Sequence, residues 1–331
     1  MQETVAVISL KRIRENAEKI IEAGQRPLIA VVKDDAYGHG AERVALALED
    51  KAAAFAVASV SEGAALKNAG ISKDILVLTP CLDEDEALRA AAYGLIVTVS
   101  SLASLHLYKR AGAPQRAHLA VNTGMNRYGV PPSLVRQACR EALDAEIHIE
   151  GVYSHFYAPQ LSAERRLQRR HFQRACKAAR EFFPDVICHI SATGGLLAGE
   201  ETDAVRSGIA LYGYLPEGFE GKLAVRPAMK LYATVAHTAR QIGHGAGYNR
   251  ILVSGSLHTL RLGYGDGPFR SGFEGAVGKL CMDACIMQGA AQFGRRKEVI
   301  KDITSYARAH GTTEYEALVN LGKNAVKVYA L

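Results

Sequence analysis

Apolar and polar positions along this chain alternate at two spacings. Short aliphatic and β-branched runs of strand length recur: "LIAVV" (28–32), "FAVAS" (55–59), "ILVLT" (75–79), "LIVTV" (95–99) and "AHLAV" (117–121). Three more continue the series, "IEGVYSH" (149–155), "VICHIS" (186–191) and "AVRSGIALYG" (204–213). Between most of them lie amphipathic stretches of helical length, rich in Ala, Arg, Lys and Glu. Strands covered by helices on both sides read as continuous apolar runs. Eight strand–helix units predict a (β/α)8 barrel, with a doubly wound sheet as the structural alternative. No G-x-G-x-x-G follows an early strand, which counts against the alternative.

Near residue 215 the rhythm changes. "LYATVAHTARQI" and "ILVSGSLHTLRLGYGDG" alternate between glycines with the short period of β-hairpins. The chain therefore divides into a barrel over 1–220 and a mostly β domain over 221–331. Residues 1–10 precede the barrel and are placed to pair with the second domain. The tail "NLGKNAVKVYAL" reads as a final strand.

Bulk properties exclude more than they identify. The 331 residues are 48% hydrophobic, enough for a substantial core, and the formal net charge of +6 is scattered. The densest basic cluster, "RRLQRRHFQR" (165–174), reads as a solvated helix face, and no basic arm or aromatic interleaving points to nucleic acid. The early run "VAVISL" is too short for a signal-peptide core or a membrane span, so neither is expected. Of the six cysteines only Cys281 and Cys285 lie close, and two thiols do not make a four-ligand zinc site. No metal is expected, and the thiols are expected to be buried and free in a reducing cytoplasm.

Candidate chemistry gathers at the predicted carboxyl ends of the strands, where barrel enzymes carry their catalytic groups. Lys33 and Tyr37 follow the first strand, and Arg127 lies in "NTGMNRYG" after the fifth. His155 ends the sixth, Thr193, Gly194 and Gly195 follow the seventh, and Arg206 lies in the eighth. Singly, each has an ordinary structural explanation: a solvated lysine, a satisfied histidine, a glycine turn. Their shared location gives the joint reading its weight. A lysine in an apolar pocket is disfavoured as ammonium and can attack an aldehyde as a free amine. A glycine turn with a hydroxyl and backbone N–H groups cradles a phosphate. An aldehyde cofactor that carries a phosphate is pyridoxal 5'-phosphate.

"VVKDDAYGHG" closely resembles the pyridoxal-phosphate lysine motif of alanine racemases. The resemblance continues in family order through "NTGMNRYG", "GVYSHF", "HISATGG", "VRSGIALYG", "LGYGDG", "GKLCMD" and "VKVY", nearly the whole chain. It implies a pyridoxal-phosphate barrel with a β domain that interconverts L- and D-alanine in the cytoplasm, supplying D-alanine for peptidoglycan. By motif, Lys33 matches the Schiff-base lysine and one catalytic base, Tyr37 lies near the phosphate, and His155 stands beside the pyridine ring. Thr193 takes the position of a phosphate-binding serine, Gly208 and Ile209 supply backbone phosphate contacts, and Tyr329 matches a phosphate-binding tyrosine. Arg206 matches the arginine facing the pyridine nitrogen, where a guanidinium will not readily give up a proton.

Inverting one carbon needs an acid/base on each face. The resemblance implies that the second is a tyrosine from a partner subunit, so that a homodimer shares its active sites. Tyr248 in "GAGYNR" takes that place, although "IGHGAG" offers His244 in a competing register. Arg127, Tyr264, Met282 and Asp283 match substrate-binding and entrance positions. Three departures stand out: Ala120 replaces a lysine that is often carbamylated, with Asn122 for the following aspartate; Ala192 replaces an asparagine; and the second domain is short. A serine or broad-specificity racemase remains an alternative within the family. A pyridoxal-phosphate-binding protein without racemase activity is a further one, against which "GYNR", "GYGDG" and "CMD" argue.

Overall fold

The computed structural model describes residues 4–112 and 116–330. The described chain forms two compact units. One comprises Arg12–Asp34 and Ala41–Arg226; the other comprises residues 4–11, Asp35–Gly40 and residues 227–330.

Strand β1 (Thr4–Ser9) belongs to the second unit, and the next eight strands build the first. They are β2 (Leu28–Val31), β3 (Ala54–Val57), β4 (Asp74–Val77), β5 (Ile96–Val99), β6 (Arg116–Ala120), β7 (His148–Tyr153), β8 (Ile187–His189) and β9 (Val205–Ser207). All pair in parallel, in the order β8-β7-β6-β5-β4-β3-β2-β9. A bridge between Ala192 and Arg206, with Arg206 N donating to Ser191 O at 3.0 Å, joins the end of β8 to β9 and closes the ring. This is the expected (β/α)8 barrel. Every residue of β2 and β5 is buried, which is why β2 reads as an unbroken apolar run and β5 is interrupted only by the β-branched Thr98.

Local signals start the outer helices. Ser59 opens Val60–Asn68 with a capping box to Glu62, Asp83 caps Glu84–Ala92, and Ser101 caps Leu102–Ala111. Asn16, fully buried on the helix Leu10–Gly24, donates to Leu211 O and Arg226 O and accepts from Arg226 N, so one amide ties down the exit from the barrel. The eighth strand is shorter than its sequence suggested. It stops at Ser207, because Gly208 turns to φ −118°, ψ −83°, and Ile209–Tyr212 winds into a 3-10 turn.

The other unit is mostly β, as the hairpin spacing predicted. β10 (Met229–Arg240) is its spine, with β13 (Ser256–Leu260), β14 (Cys285–Gln288), β15 (Arg296–Val299) and β16 (Val326–Ala330) around it. β1 lies antiparallel to β10 and parallel to β16. β11 (Gly245–Ala246) and β12 (Asn249–Arg250) form a separate small hairpin, and the helices Ile303–Ala309 and Glu314–Lys323 precede β16. All six cysteines are free thiols; five are buried and Cys281 is half-buried. Among the described residues no helix is long and apolar enough to cross a membrane.

Candidate active site

Lys33 follows β2 directly, and the segment around it is held by backbone and carboxylate bonds. Val32 N donates to Ala56 O at 2.9 Å, and Glu62 accepts from Asp34 N at 2.7 Å and from Ala58 N at 2.6 Å. The capping carboxylate of one helix thus also fixes the chain beside Lys33. The amine itself has a charged neighbour. The Lys33 side chain is 34% exposed, and its Nζ lies 3.9 Å from Asp34 Oδ2. The next residue in the chain supplies this charge.

Arg206, on β9 beside β2, is buried. Its Nη1 donates to His189 Nδ1 at 2.6 Å and His189 O at 2.5 Å, and its Nη2 donates to Ser154 O at 2.5 Å. The Tyr153 ring lies 5.2 Å from the guanidinium carbon. Burial, opposed by Tyr153 and aided by Arg127, brings the guanidinium down to about 10, so it is a cation at neutral pH. His155, at the end of β7, is pushed down to about 3, first by burial and then by the charges of Arg206, Arg127 and Lys33. These four predicted site residues therefore share one electrostatic environment at the barrel mouth.

The predicted phosphate end lies in the same unit. Thr193 and Ser207 are buried, with their hydroxyls 2.9 Å apart. Gly208 and the buried Ile209 open the 3-10 turn Ile209–Tyr212, and Thr193 opens the short helix Thr193–Leu197, whose preceding Ala192 offers no side-chain cap. First-turn N–H groups have no partner within their own helix and favour anions. A Cβ on Gly194 would meet Pro159 Cγ at 2.5 Å, so only glycine fits there. Arg127 sits on the exposed loop after β6, where Asn122 accepts from Gly124 N and Asn126 N. Asn122 thus folds this loop by side-chain bonding, and Ala120 is buried within β6.

Asp34, Asp35, Ala36 and Tyr37 all have φ between 53° and 55°, and Gly38 has φ 79°. The helical turn Lys33–Gly38 is therefore left-handed over its last five residues. For L-residues that conformation costs about 1–2 kcal/mol each, and such strain persists only where surroundings over-determine it. Here Ala36 and Tyr37 are buried, and Lys327 pairs with Asp35 at 2.9 Å. Gly38 packs against Leu318 O and Gly322. Two residues further on, a Cβ on Gly40 would overlap the phenol oxygen of Tyr329. Tyr37 and Tyr329 are thus carried by one unit.

That same unit gathers the remaining predicted residues. Tyr264 N donates to Cys281 O at 3.1 Å and Gly265 N to Met282 O at 2.9 Å, and a Cβ on Gly263 would overlap the Met282 carbonyl. "GYGDG" and "CMD" are therefore pinned together, which sets Tyr264, Met282 and Asp283 side by side. Tyr248 is exposed at the turn of the β11–β12 hairpin. That hairpin touches the same segment, since Lys279 N donates to Asn249 Oδ1 at 2.8 Å. His244 is exposed just before β11, its carbonyl accepting from Ile251 N.

Comparison with known proteins decides the family. The alanine racemase N-terminal domain family matches residues 8–216. The alanine racemase of Desulforamulus reducens is 31% identical over 368 aligned residues, covering 98% of this chain and 98% of that protein. The chain belongs to the alanine racemase family. The alanine racemase structure from D-cycloserine producing Streptomyces lavendulae aligns with a TM-score of 0.90 at 27% identity, covering 100% of this chain and 98% of that one. The Clostridium difficile 630 alanine racemase in complex with cycloserine gives 0.86 at 25% identity, covering 99% and 95%.

Several residues of this alanine racemase family member act around the site without having been singled out from sequence. His189, Ser154 and Tyr153 hold Arg206; Ser207 bonds Thr193; and Gln168 on the helix Ser162–Arg180 donates to Thr123 Oγ1 and His155 O. His189 lies inside "HISATGG" and Ser154 inside "GVYSHF", so the motifs contained the signal. Gln168 lies in a basic, solvated-looking run and left no comparable mark.

Proposed function

We propose that this chain is an alanine racemase that interconverts L- and D-alanine with pyridoxal 5'-phosphate, as a homodimer with shared active sites. One observation carries the proposal: a primary amine follows the strand that neighbours the one bearing a buried guanidinium. β2, which leads into Lys33, pairs with β9 at Ile29 and Arg206. The donor set fits the cofactor. Lys33 would offer an amine to its aldehyde, and Thr193 with the amides of Gly208 and Ile209 would offer hydrogen bonds to its phosphate; by family resemblance Tyr37 and Tyr329 would serve the same phosphate. By family resemblance Arg206 would face its ring nitrogen and His155 would stand beside the ring. When bound, pyridoxal phosphate withdraws electrons from the substrate α-carbon and makes its proton removable.

The chain's own residues supply the rest. Arg206, cationic up to about 10, donates hydrogen bonds without giving up a proton at neutral pH. That limits electron withdrawal and favours simple removal and return of a proton. Lys33 works one face of the α-carbon and Tyr248, from the partner subunit, works the other. Arg127, Tyr264, Met282 and Asp283 bind the substrate and line its entrance. The barrel unit, Arg12–Asp34 with Ala41–Arg226, would carry the Schiff-base lysine and the ring contacts, and the mostly β unit would complete the partner's site. The exposure of apolar side chains supports a covered second domain: among the described residues, of the seven large apolar side chains more than half exposed, five are Ile242, Tyr248, Leu252, Met282 and Phe293. Cytoplasmic location and use of the product in peptidoglycan belong to the same proposal, by family resemblance.

The test is Lys33→Ala, with visible absorbance of the bound cofactor and D-alanine formation both measured. Both should disappear together, because the carrier amine and one base are the same group. Turnover near the wild-type rate would overturn the proposal. A panel of L-amino acids in the same assay distinguishes alanine from serine or broader specificity.

A further inference from the structure

Behind Arg206 lies a second histidine that neither the motifs nor the proposed reaction uses. His118, on β6, points its Nδ1 at His189 Nε2 across 2.9 Å. Both rings are buried, set edge to face with centroids 4.9 Å apart. The partners impose a direction on this chain of bonds. A guanidinium only donates, so His189 Nδ1, 2.6 Å from Arg206 Nη1, must accept. A neutral His189 then carries its proton on Nε2 and donates it to His118 Nδ1. His118 in turn must carry its own proton on Nε2. Burial and the Arg206 charge keep both rings neutral, so no second proton disturbs the order.

Two further features show that the place was made for this ring. A Cβ on Gly151, in the middle of β7, would lie 2.7 Å from His118 Cε1 and Nε2. Glycine inside a strand marks a close approach, and here the approaching group is an imidazole. Tyr153 stacks on His189 at 5.5 Å and 10°, and its hydroxyl is tied to Thr98 Oγ1 at 2.9 Å and Leu78 O at 3.2 Å. With its flat face held by Tyr153, His189 has one remaining freedom, the choice of which nitrogen carries the proton. His118 removes it.

We propose that His118 is a positioning residue: by accepting from His189 Nε2, it leaves His189 Nδ1 as the acceptor that aims the Arg206 guanidinium. The proposal rests on the racemase reading, in which Arg206 faces the cofactor's ring nitrogen. Without the acceptor at His118, His189 can move its proton to Nδ1 and present an N–H to a guanidinium that has no lone pair. Arg206 would then swing away from its aim while its neighbours stay folded.

Nitrogen NMR of the protein labelled at histidine, at neutral pH, tests this without any variant in the reaction. His118 and His189, assigned by single replacements, should both be neutral with the proton on Nε2. A proton on Nδ1 of either ring overturns the proposal. In kinetics, His118→Leu should lower kcat on the order of tenfold, the scale at which partners one step behind a functional group act, with KM and cofactor affinity little changed. His118→Asn, whose carbonyl oxygen stands near the former Nδ1, should restore most of the loss. Wild-type kcat in a folded His118→Leu protein overturns the proposal as well. A chain that makes no D-alanine at all defeats the racemase reading instead, and the proton positions then decide the bond chain on their own.

Discussion

Gly151 shows how a single absent atom supports a charged group several bonds away. A methyl there would stand 2.7 Å from the His118 ring, which is held on its other side by His189. Gly151→Ala should therefore destabilise the protein by about 1–3 kcal/mol, as overpacking does in a rigid interior. Urea unfolding of the variant against the wild type measures it, and an unchanged midpoint would mean that the strand yields more easily than the packing suggests. Imidazoles in and behind the site also set an acid limit. His118 and His155 are pushed down to about 3, by burial first and then by Arg206. An unfolded histidine titrates near 6.5, so between these values the unfolded chain binds the extra protons. Stability is complete above pH 6.5 and falls as pH drops towards 3, at about 1.4 kcal/mol per pH unit for each ring. The two together should remove roughly 2 kcal/mol between pH 6.5 and 5.5. A flat urea midpoint over that range would show that the rings charge in place.

At the scale of the element, the left-handed turn after Lys33 is the costliest feature of the site. Four successive non-glycine residues near φ 54° cost on the order of 4–8 kcal/mol. They are held by burial of Ala36 and Tyr37, by the Lys327–Asp35 ion pair and by the close packing of Gly38 on Gly322. Gly38→Ala adds a fifth strained residue and a Cβ 2.7 Å from Leu318 O. The expected loss is about 2–5 kcal/mol, from strain and overpacking together, and differential scanning calorimetry should record a clearly lower transition. Retention of the wild-type transition would show that the turn can relax. No periodicity announced this turn, because "KDDAYG" has neither a proline nor an early glycine. Asp tolerates the left-handed region, yet the conformation is imposed by packing contacts far along the chain. The eight barrel strands, by contrast, were legible one by one, since burial gives each a predominantly apolar run with few polar interruptions. The eighth was read too long because Gly208 turns the backbone without interrupting the hydrophobic pattern.

At the scale of the whole molecule, the proposed reaction is a property of two chains. Lys33→Ala and Tyr248→Phe should each abolish most racemisation, the latter by about 10²-fold or more for a lost acid/base, while Tyr248→Phe still binds cofactor. Mixed chains place both lesions in one site and leave the other intact, so heterodimers should recover activity that neither parent has. Proven heterodimers without activity would refute the shared site. His244→Asn should be milder than Tyr248→Phe; the reverse order would move the second base to His244.

The sequence alone determined the ring of strands, the mostly β second unit and the family, because each is written in local patterns: apolar runs, hairpin alternation and motifs in order. It also placed Lys33, His155, Thr193 and Arg206 at strand ends, since strand position follows directly from the run that precedes it. Tertiary structure alone decided what surrounds them. The left-handed turn and the His118–His189 support of Arg206 both depend on partners distant in the chain. His118 interrupts an apolar strand and, read along the chain, is only a polar residue out of place. In the closed barrel its side chain meets His189, 71 residues away, and a hydrogen bond between two buried rings has no counterpart in any local pattern.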